Sequence, residues 1–265
     1  MPQKAANEAR GRERMPAGRG GARFLPLWNE KFRFACHPGV GCFGECCADL
    51  RLILTPYDVL RMKKRLGMNS SEFLAQYTLL DWEENPWFPM VRLKMREEGR
   101  RECPFLTAQG CSIYEDRPGA CRLYPLGRGA RRGHLPDVEE EFYFLVVEDH
   151  CRGFEERREW TLGEWLEDQG VLEYNAMNRP WMEIVTSKSA NLRKIGEEHR
   201  AMFHMASYDL DRFRGFVKKS SFLKRFRLEE DELKGLDQDD LSLLFLAIRW
   251  LKFSLLGEMT LEIRH

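Results

Sequence analysis

Eight cysteines, Cys36, Cys42, Cys46, Cys47, Cys103, Cys111, Cys121 and Cys151, all fall between residues 36 and 151 of a 265-residue chain. Four of them crowd into the stretch FACHPGVGCFGECCADL that starts at Phe34. Thiols gathered in this way can form disulfides, pack as small apolar side chains, or lose their protons around a metal ion. A secretory leader needs an apolar run after its basic start, and this N-terminus has none, so the chain is expected to be cytoplasmic. In that compartment glutathione and thioredoxin keep disulfides reduced. Metal ligation is then the leading reading for the set, with one or two of the eight as ordinary buried side chains.

The first block is C-x5-C-x3-C-C, with Pro38, Gly39, Gly41 and Gly44 between the thiols. Glycines let a backbone turn tightly enough for thiolates several residues apart to converge on one ion. Adjacent side chains such as Cys46 and Cys47 point in different directions whether the backbone is extended or helical. Either there are two metal positions, or one of the pair packs into the core. Eight thiolates suffice for two zinc sites, or for one four-iron cluster with the other cysteines structural, because both centres take four cysteine ligands. His37 and His150 stand next to cysteines and are substitute ligands in principle; a lone histidine is more often simply exposed or hydrogen-bonded. Arg117 and Arg122 flank the third block, where they either offset thiolate charge or pair with Glu115, Asp116 or the backbone.

Several elements must position these thiols. In TPYDVLRMKKRLG, Thr55 is an N-cap, Pro56 suits the first helical position, Asp58 sits where a capping box puts its acid, and Gly67 closes the helix. A second helix starts between Asn69 and Ser71 and runs through EFLAQY. Val91, Leu93 and Met95 alternate with Arg92, Lys94 and Arg96, the pattern of a half-buried strand. Around Ala108-Gln109-Gly110 the sequence reads as a hairpin that brings Cys103 and Cys111 near each other. Pro118 starts a short helix carrying Cys121, and Pro125 ends it. Residues 142–147, FYFLVV, read as a buried strand leading to Cys151.

Charge excludes more than it suggests. The 42 basic and 42 acidic side chains cancel, leaving no global field to draw in nucleic acid or an anionic membrane. No nucleic acid and no membrane are expected as partners. The longest apolar stretch, LSLLFLAI from Leu241, is far short of the roughly 20 residues needed to span a bilayer. Cys42 and Cys46 satisfy the first interval of a radical S-adenosylmethionine C-x3-C-x2-C signature, but Cys47 breaks the second. The segment GRGARRG, residues 127–133, has no apolar strand before it or helix after it and reads as an exposed basic loop. There is no nucleophile elbow, P-loop or HExxH. Catalytic residues are therefore unknown, and whether the chain is an enzyme is left open.

Beyond the thiols, Thr161 and Glu164 form a capping box for a short helix closed by Gly170, and Pro180 is expected to interrupt the next segment. The last helix, from Leu241, is apolar on most sides and belongs in a core or at an oligomer interface. The fold class is thus α+β: a small cysteine-rich module of short helices and antiparallel strands, followed by a helical extension. The expected domains are a disordered basic tail over 1–23, a cysteine-cluster metal-binding domain over 24–155, and the helical extension over 156–265.

The CC-terminated cluster, LTPYDVLRMKKRLG, CPFL, GCSIYEDRP and CRLYP, in that order, resemble the YkgJ-type cysteine-cluster proteins, a zinc- or iron-chelating family, over roughly residues 32–152. The resemblance implies a bacterial module that binds zinc, iron or an iron–sulfur centre; some relatives look like flagellin lysine N-methylases. The favoured function is binding a metal centre through the eight cysteines, with an iron–sulfur cluster of the 4Fe-4S type placed ahead of zinc, as a redox or protein-modifying accessory. The alternatives are an iron–sulfur-dependent protein lysine N-methylase-like enzyme with a protein substrate, and a zinc-stapled module that recognises a partner protein.

Overall fold

The structure is a computed structural model that describes residues 22–27, 31–132 and 139–264. The expected tail lies outside the described residues except for Ala22 and Arg23, and Arg23 opens a strand. The chain forms two compact units that interleave along the sequence: residues up to Cys46 with Leu123–Gln169, and Cys47–Arg122 with Gly170–His265.

The first unit is built on a three-stranded antiparallel sheet. Strand β9 (Glu139–Val147) lies between β1 (Arg23–Pro26) and β8 (Leu126–Arg132), with Arg23 opposite Val147 and Leu126 opposite Leu145. Phe142 to Val147 are half-buried in this central strand, not fully buried as their apolar run suggests. Residues 127–132 correct the expectation of a basic loop: they are strand β8. Gly127 and Gly129 lie beneath the rings of Phe144 and Phe142 on β9, where any added Cβ would overlap the aromatic atoms. Large rings opposite glycines supply the packing that the glycines lack, which is what lets such a segment pair. A second, two-stranded ladder pairs β2 (Lys31–Arg33) with β10 (Glu159–Thr161), and the helix Leu162–Asp168 follows with the expected Thr161–Glu164 capping box. The small core here is Phe32, Phe34, Leu126, Trp160 and Trp165. Its two indoles are tied down, Trp160 Nε1 donating to the Phe34 carbonyl at 2.8 Å and Trp165 Nε1 to that of Leu123 at 3.1 Å.

The second unit is mainly helical. Helix α1 (Pro56–Leu66) carries the Thr55–Asp58 capping box and ends at Gly67 with φ 65°, the left-handed conformation glycine tolerates. Helix α2 (Ser70–Tyr77) is capped by Asn69. They pack with a sheet ordered β3 (Ile53–Leu54), β5 (Met90–Leu93), β4 (Thr78–Asp81), whose Val91 and Leu93 are buried and whose Arg92 is half-exposed. Strands β6 (Leu106–Thr107) and β7 (Gly110–Cys111) form the hairpin, and the short helix α3 (Gly119–Leu123) carries Cys121. The long helix Val171–Val185 runs through Pro180, contrary to the expected break. An interior proline costs about 3 kcal/mol. Burial of Val171, Tyr174, Trp181 and Ile184 from the same helix, at about 1.5–3 kcal/mol per large side chain, outweighs it. The final helix, Asp240–Leu251, continues into a π-helical turn, Lys252–Leu256, and buries Leu243, Leu244, Leu246, Ile248 and Leu251 in the core of this unit.

Among the described residues, no helix is long and apolar enough to cross a membrane.

Candidate metal centre

All eight cysteines are described residues, and none is in a disulfide. The unit division splits them four and four: Cys36, Cys42, Cys46 and Cys151 in the first, and Cys47, Cys103, Cys111 and Cys121 in the second. The adjacent pair Cys46–Cys47 falls at the boundary, one to each unit.

In the first unit, the chain leaving β2 is held beside the chain leaving Cys151. Phe34 N–H donates to the Arg158 carbonyl at 3.0 Å and Ala35 N–H to the Gly153 carbonyl at 3.1 Å. From Cys36 the backbone coils through successive turns, Val40 N–H to His37 O, Phe43 N–H to Val40 O and Glu45 N–H to Cys42 O, each at 2.9 Å. Gly44, at φ 85°, takes the one turn in this loop that a side chain would strain. The result is a small pocket with a cavity of about 10 Å³, lined by Cys36, Cys42, Cys46 and Cys151 together with Phe34 and Tyr124.

Electrostatics show that the four thiols feel one another. Cys36 is exposed as a residue, but partial desolvation of its sulfur, followed by the charges of Cys46, Cys42 and Cys151, pushes its thiol up to about 11. Burial also raises Cys151, opposed by its neighbours Tyr124 and the Gly153 N–H. The Arg152 N–H donates to Cys42 Sγ at 3.1 Å. Without a cation, such a set keeps its protons; a divalent ion reverses the balance and makes thiolates of them. Backbone N–H groups aimed at sulfur stabilise the anionic form.

In the second unit the thiols of Cys103 and Cys111 interact with each other, and Arg117 stands near Cys111 and Cys121. Cys103 N–H donates to the Cys47 carbonyl at 2.7 Å, which joins the CC pair's segment to the hairpin. Burial raises Cys103, opposed by the N–H groups of Phe105 and Leu106, with Cys111 close enough to add repulsion. Cys111 is likewise raised by burial and eased by the Ile113 N–H and the Arg117 charge. The buried Arg117 guanidinium is also within electrostatic reach of Cys121, stacks 3.8 Å from the Tyr114 ring centroid and donates to the Tyr114 carbonyl at 2.6 Å. Arg122, also buried, donates to the carbonyls of Arg117 and Glu115 and lies over Tyr174. Both arginines therefore have backbone partners, and Arg117 faces thiols as well. Helix α3, which carries Cys121, is anchored from below by Asp58, whose buried carboxylate accepts from Gly119 N–H at 2.8 Å and from the N–H and O–H of Thr55 at 2.7 Å each.

Of the two histidines, His150 borders the first pocket, its Nε2 3.7 Å from a Glu148 oxygen. His37 is turned to other partners: its Nδ1 accepts from Gly39 N–H at 3.2 Å and its Nε2 lies 3.7 Å from Glu156. Among the described residues, no three Cys, His, Asp or Glu side chains stand together closely enough to hold one ion. The first set thus fits a metal by its donor chemistry, four mutually repelling thiols facing one cavity with N–H donors behind them, and must contract to ligate it.

Eight reduced thiols, four in each unit, give this chain the donor chemistry of a metal-thiolate protein. Residues 35–152 match the CxxCxxCC family model, described as a "putative zinc- or iron-chelating domain", over nearly the same stretch as the motifs read from the sequence. No curated protein and no solved structure matches the chain.

Sequence reasoning missed three contributors to the first pocket: Tyr124, the Arg152 N–H and Gly153. Gly153 had a readable signal, a glycine two places after the last cysteine. Its necessity is steric, because an added Cβ would lie 2.5 Å from the Phe34 ring and 2.8 Å from the Ala35 carbonyl oxygen.

Proposed function

We propose that this chain binds a metal centre through Cys36, Cys42, Cys46 and Cys151, and a second through Cys47, Cys103, Cys111 and Cys121. The observation that carries the reading is the convergence of four cysteines, three from one loop and one from far along the chain, on a single small pocket. Four thiolates are the ligand set of both structural zinc and a four-iron cluster. A cavity of about 10 Å³ admits one water-sized particle, so a single zinc ion is the occupant nearest to the pocket in size, the four thiols drawing in around it. An iron–sulfur cluster requires the loop to open, and the exposed residues His37, Pro38, Gly39 and Gly41 leave that loop room to do so. When bound, the group supplies a structural staple if zinc and an electron-transfer site if a cluster. The protein's own part is to bring the thiols together, hold Cys42 with the Arg152 N–H, and exclude water with Phe34. Reduced thiols of this kind suit a cytoplasmic location.

Anaerobic purification followed by zinc, iron and sulfide analysis tests the proposal. Metal is expected in the wild type. Cys36→Ser and Cys103→Ser should each remove only part of it, because the two residues belong to different sets. Protein that emerges without zinc or iron refutes the reading; loss of all metal from either single variant refutes the division into two sets.

A further inference from the structure

We propose that Tyr124 is a positioning residue of the first thiol pocket, its hydroxyl donating a hydrogen bond to the Cys151 sulfur when that sulfur ligates a metal. The inference rests on the metal-binding reading above and adds to it a residue outside the ligand set.

The Tyr124 hydroxyl is completely buried and has no hydrogen-bond partner of ordinary geometry. Leaving a hydroxyl in that state costs about 1–3 kcal/mol. Phenylalanine would fill the same space without that penalty, so packing does not account for the oxygen. Two other tyrosine hydroxyls among the described residues share the condition, those of Tyr174 and Tyr208, but only Tyr124 lines the thiol pocket.

Its surroundings single out one acceptor. Two groups lie close enough to act on the phenol, the Cys151 thiol, which interacts with it more strongly, and the Glu148 carboxylate. Glu148 has His150 at 3.7 Å. Cys151 is the pocket member, and a neutral thiol is a weak acceptor whereas a metal-bound thiolate is a strong one. Metal loading thus turns a weak contact with this sulfur into a full hydrogen bond.

The ring has little freedom to turn elsewhere. It meets Phe34 edge-on at 5.8 Å, and the following residue is pinned to the sheet by the Val146 N–H, which donates to the Pro125 carbonyl at 2.8 Å. Cys151 is fixed by its own N–H donating to the Glu148 carbonyl at 2.9 Å. Donor and acceptor therefore come from two anchored segments of one unit. A hydrogen bond there orients the Cys151 side chain and withdraws electron density from its sulfur, as outer partners of metal ligands do.

The test uses Co²⁺ as the probe, added to the reduced, metal-depleted full chain under anaerobic conditions, with Tyr124→Phe beside the wild type. The variant should bind the same number of Co²⁺ ions about tenfold more weakly in competition with a chelator. Its thiolate-to-cobalt charge-transfer band should move to lower energy, because the sulfur has lost a hydrogen bond. Its metal-free stability should be equal or higher, since an unpaired hydroxyl has gone; a purely structural tyrosine would lower it. Equal affinity and an unmoved band overturn the inference while leaving metal binding intact. A wild type that takes up no Co²⁺ overturns both. Should Tyr124→Phe fold poorly, ring-fluorinated tyrosine at 124 keeps the hydroxyl as a stronger donor: the band should then shift to higher energy, and an unmoved band again overturns the inference.

Discussion

Adding one methyl group at Gly153 should damage the thiol pocket more than its size suggests. An alanine Cβ there would sit 2.5 Å from the Phe34 ring and 2.8 Å from the Ala35 carbonyl oxygen, closer than real Cβ atoms come to other heavy atoms. Phe34 cannot simply rotate away, being 2% exposed and enclosed by the rings of Tyr124, Phe154 and Trp165 at 5.8, 5.3 and 5.6 Å. The backbone cannot yield freely either, because the Ala35 N–H is bonded to the Gly153 carbonyl. Overpacking of this kind costs about 1–3 kcal/mol, and breaking the Ala35–Gly153 hydrogen bond adds about 1 kcal/mol. The expected destabilisation of Gly153→Ala is therefore about 2–4 kcal/mol. Gly163 gives the contrast: it lies in a helix of the same unit with open space where its Cβ would be, and Gly163→Ala should stabilise by about 0.5 kcal/mol. Urea denaturation of the two variants and the wild type measures both. Because Gly153 follows the Arg152 N–H that holds Cys42, cobalt uptake by the first set should fall in Gly153→Ala and not in Gly163→Ala. A Gly153→Ala protein within 0.5 kcal/mol of wild type, with unchanged uptake, would refute the steric reasoning.

Three further outcomes are expected. Asp58→Ala strands three donors, two on Thr55 and one on Gly119, and should cost about 3 kcal/mol by chemical denaturation, with faster alkylation of Cys121; undiminished stability would show that the anchor is dispensable. Asp81 is held down at about 2 chiefly by the Arg51 guanidinium, at 2.7 and 2.9 Å. A carboxylate with a depressed folded pKa stabilises above its unfolded value of about 4, so this contribution is lost as pH falls from about 4 to about 2. With Arg51 partly exposed and screened it amounts to about 1 kcal/mol, and Asp81→Asn should flatten that limb of the stability–pH curve; an unchanged limb counts against it. Pro180→Ala should raise stability by about 1–2 kcal/mol by restoring a helical N–H donor, and a lowered Tm would mean that the proline is relieving some other strain.

Local rules carried much of the fold. Thr55, Asn69 and Thr161 cap their helices through side chains within three residues, so sequence alone located those starts. The alternation of buried Val91 and Leu93 with Arg92 is a local signal as well, and the 106–111 hairpin pairs residues close in sequence, Leu106 with Cys111 and Thr107 with Gly110. What sequence missed depends on distant partners. Strand β8 forms because Phe142 and Phe144 cover its glycines, and Pro180 is tolerated because Tyr174 and Trp181 find a core. The thiols were legible as residues but not as sets: nothing within the sequence CC tells that Cys46 shares a pocket with Cys151 while Cys47 is bonded to the backbone of Cys103.

That division also has an order in time. On a growing chain, the set ending at Cys121 has all four sulfurs before Cys151 has been made, whereas Cys36, Cys42 and Cys46 wait as a trio for their fourth companion. Ribosome-bound intermediates halted between those two points would carry all four sulfurs of one group and only three of the other.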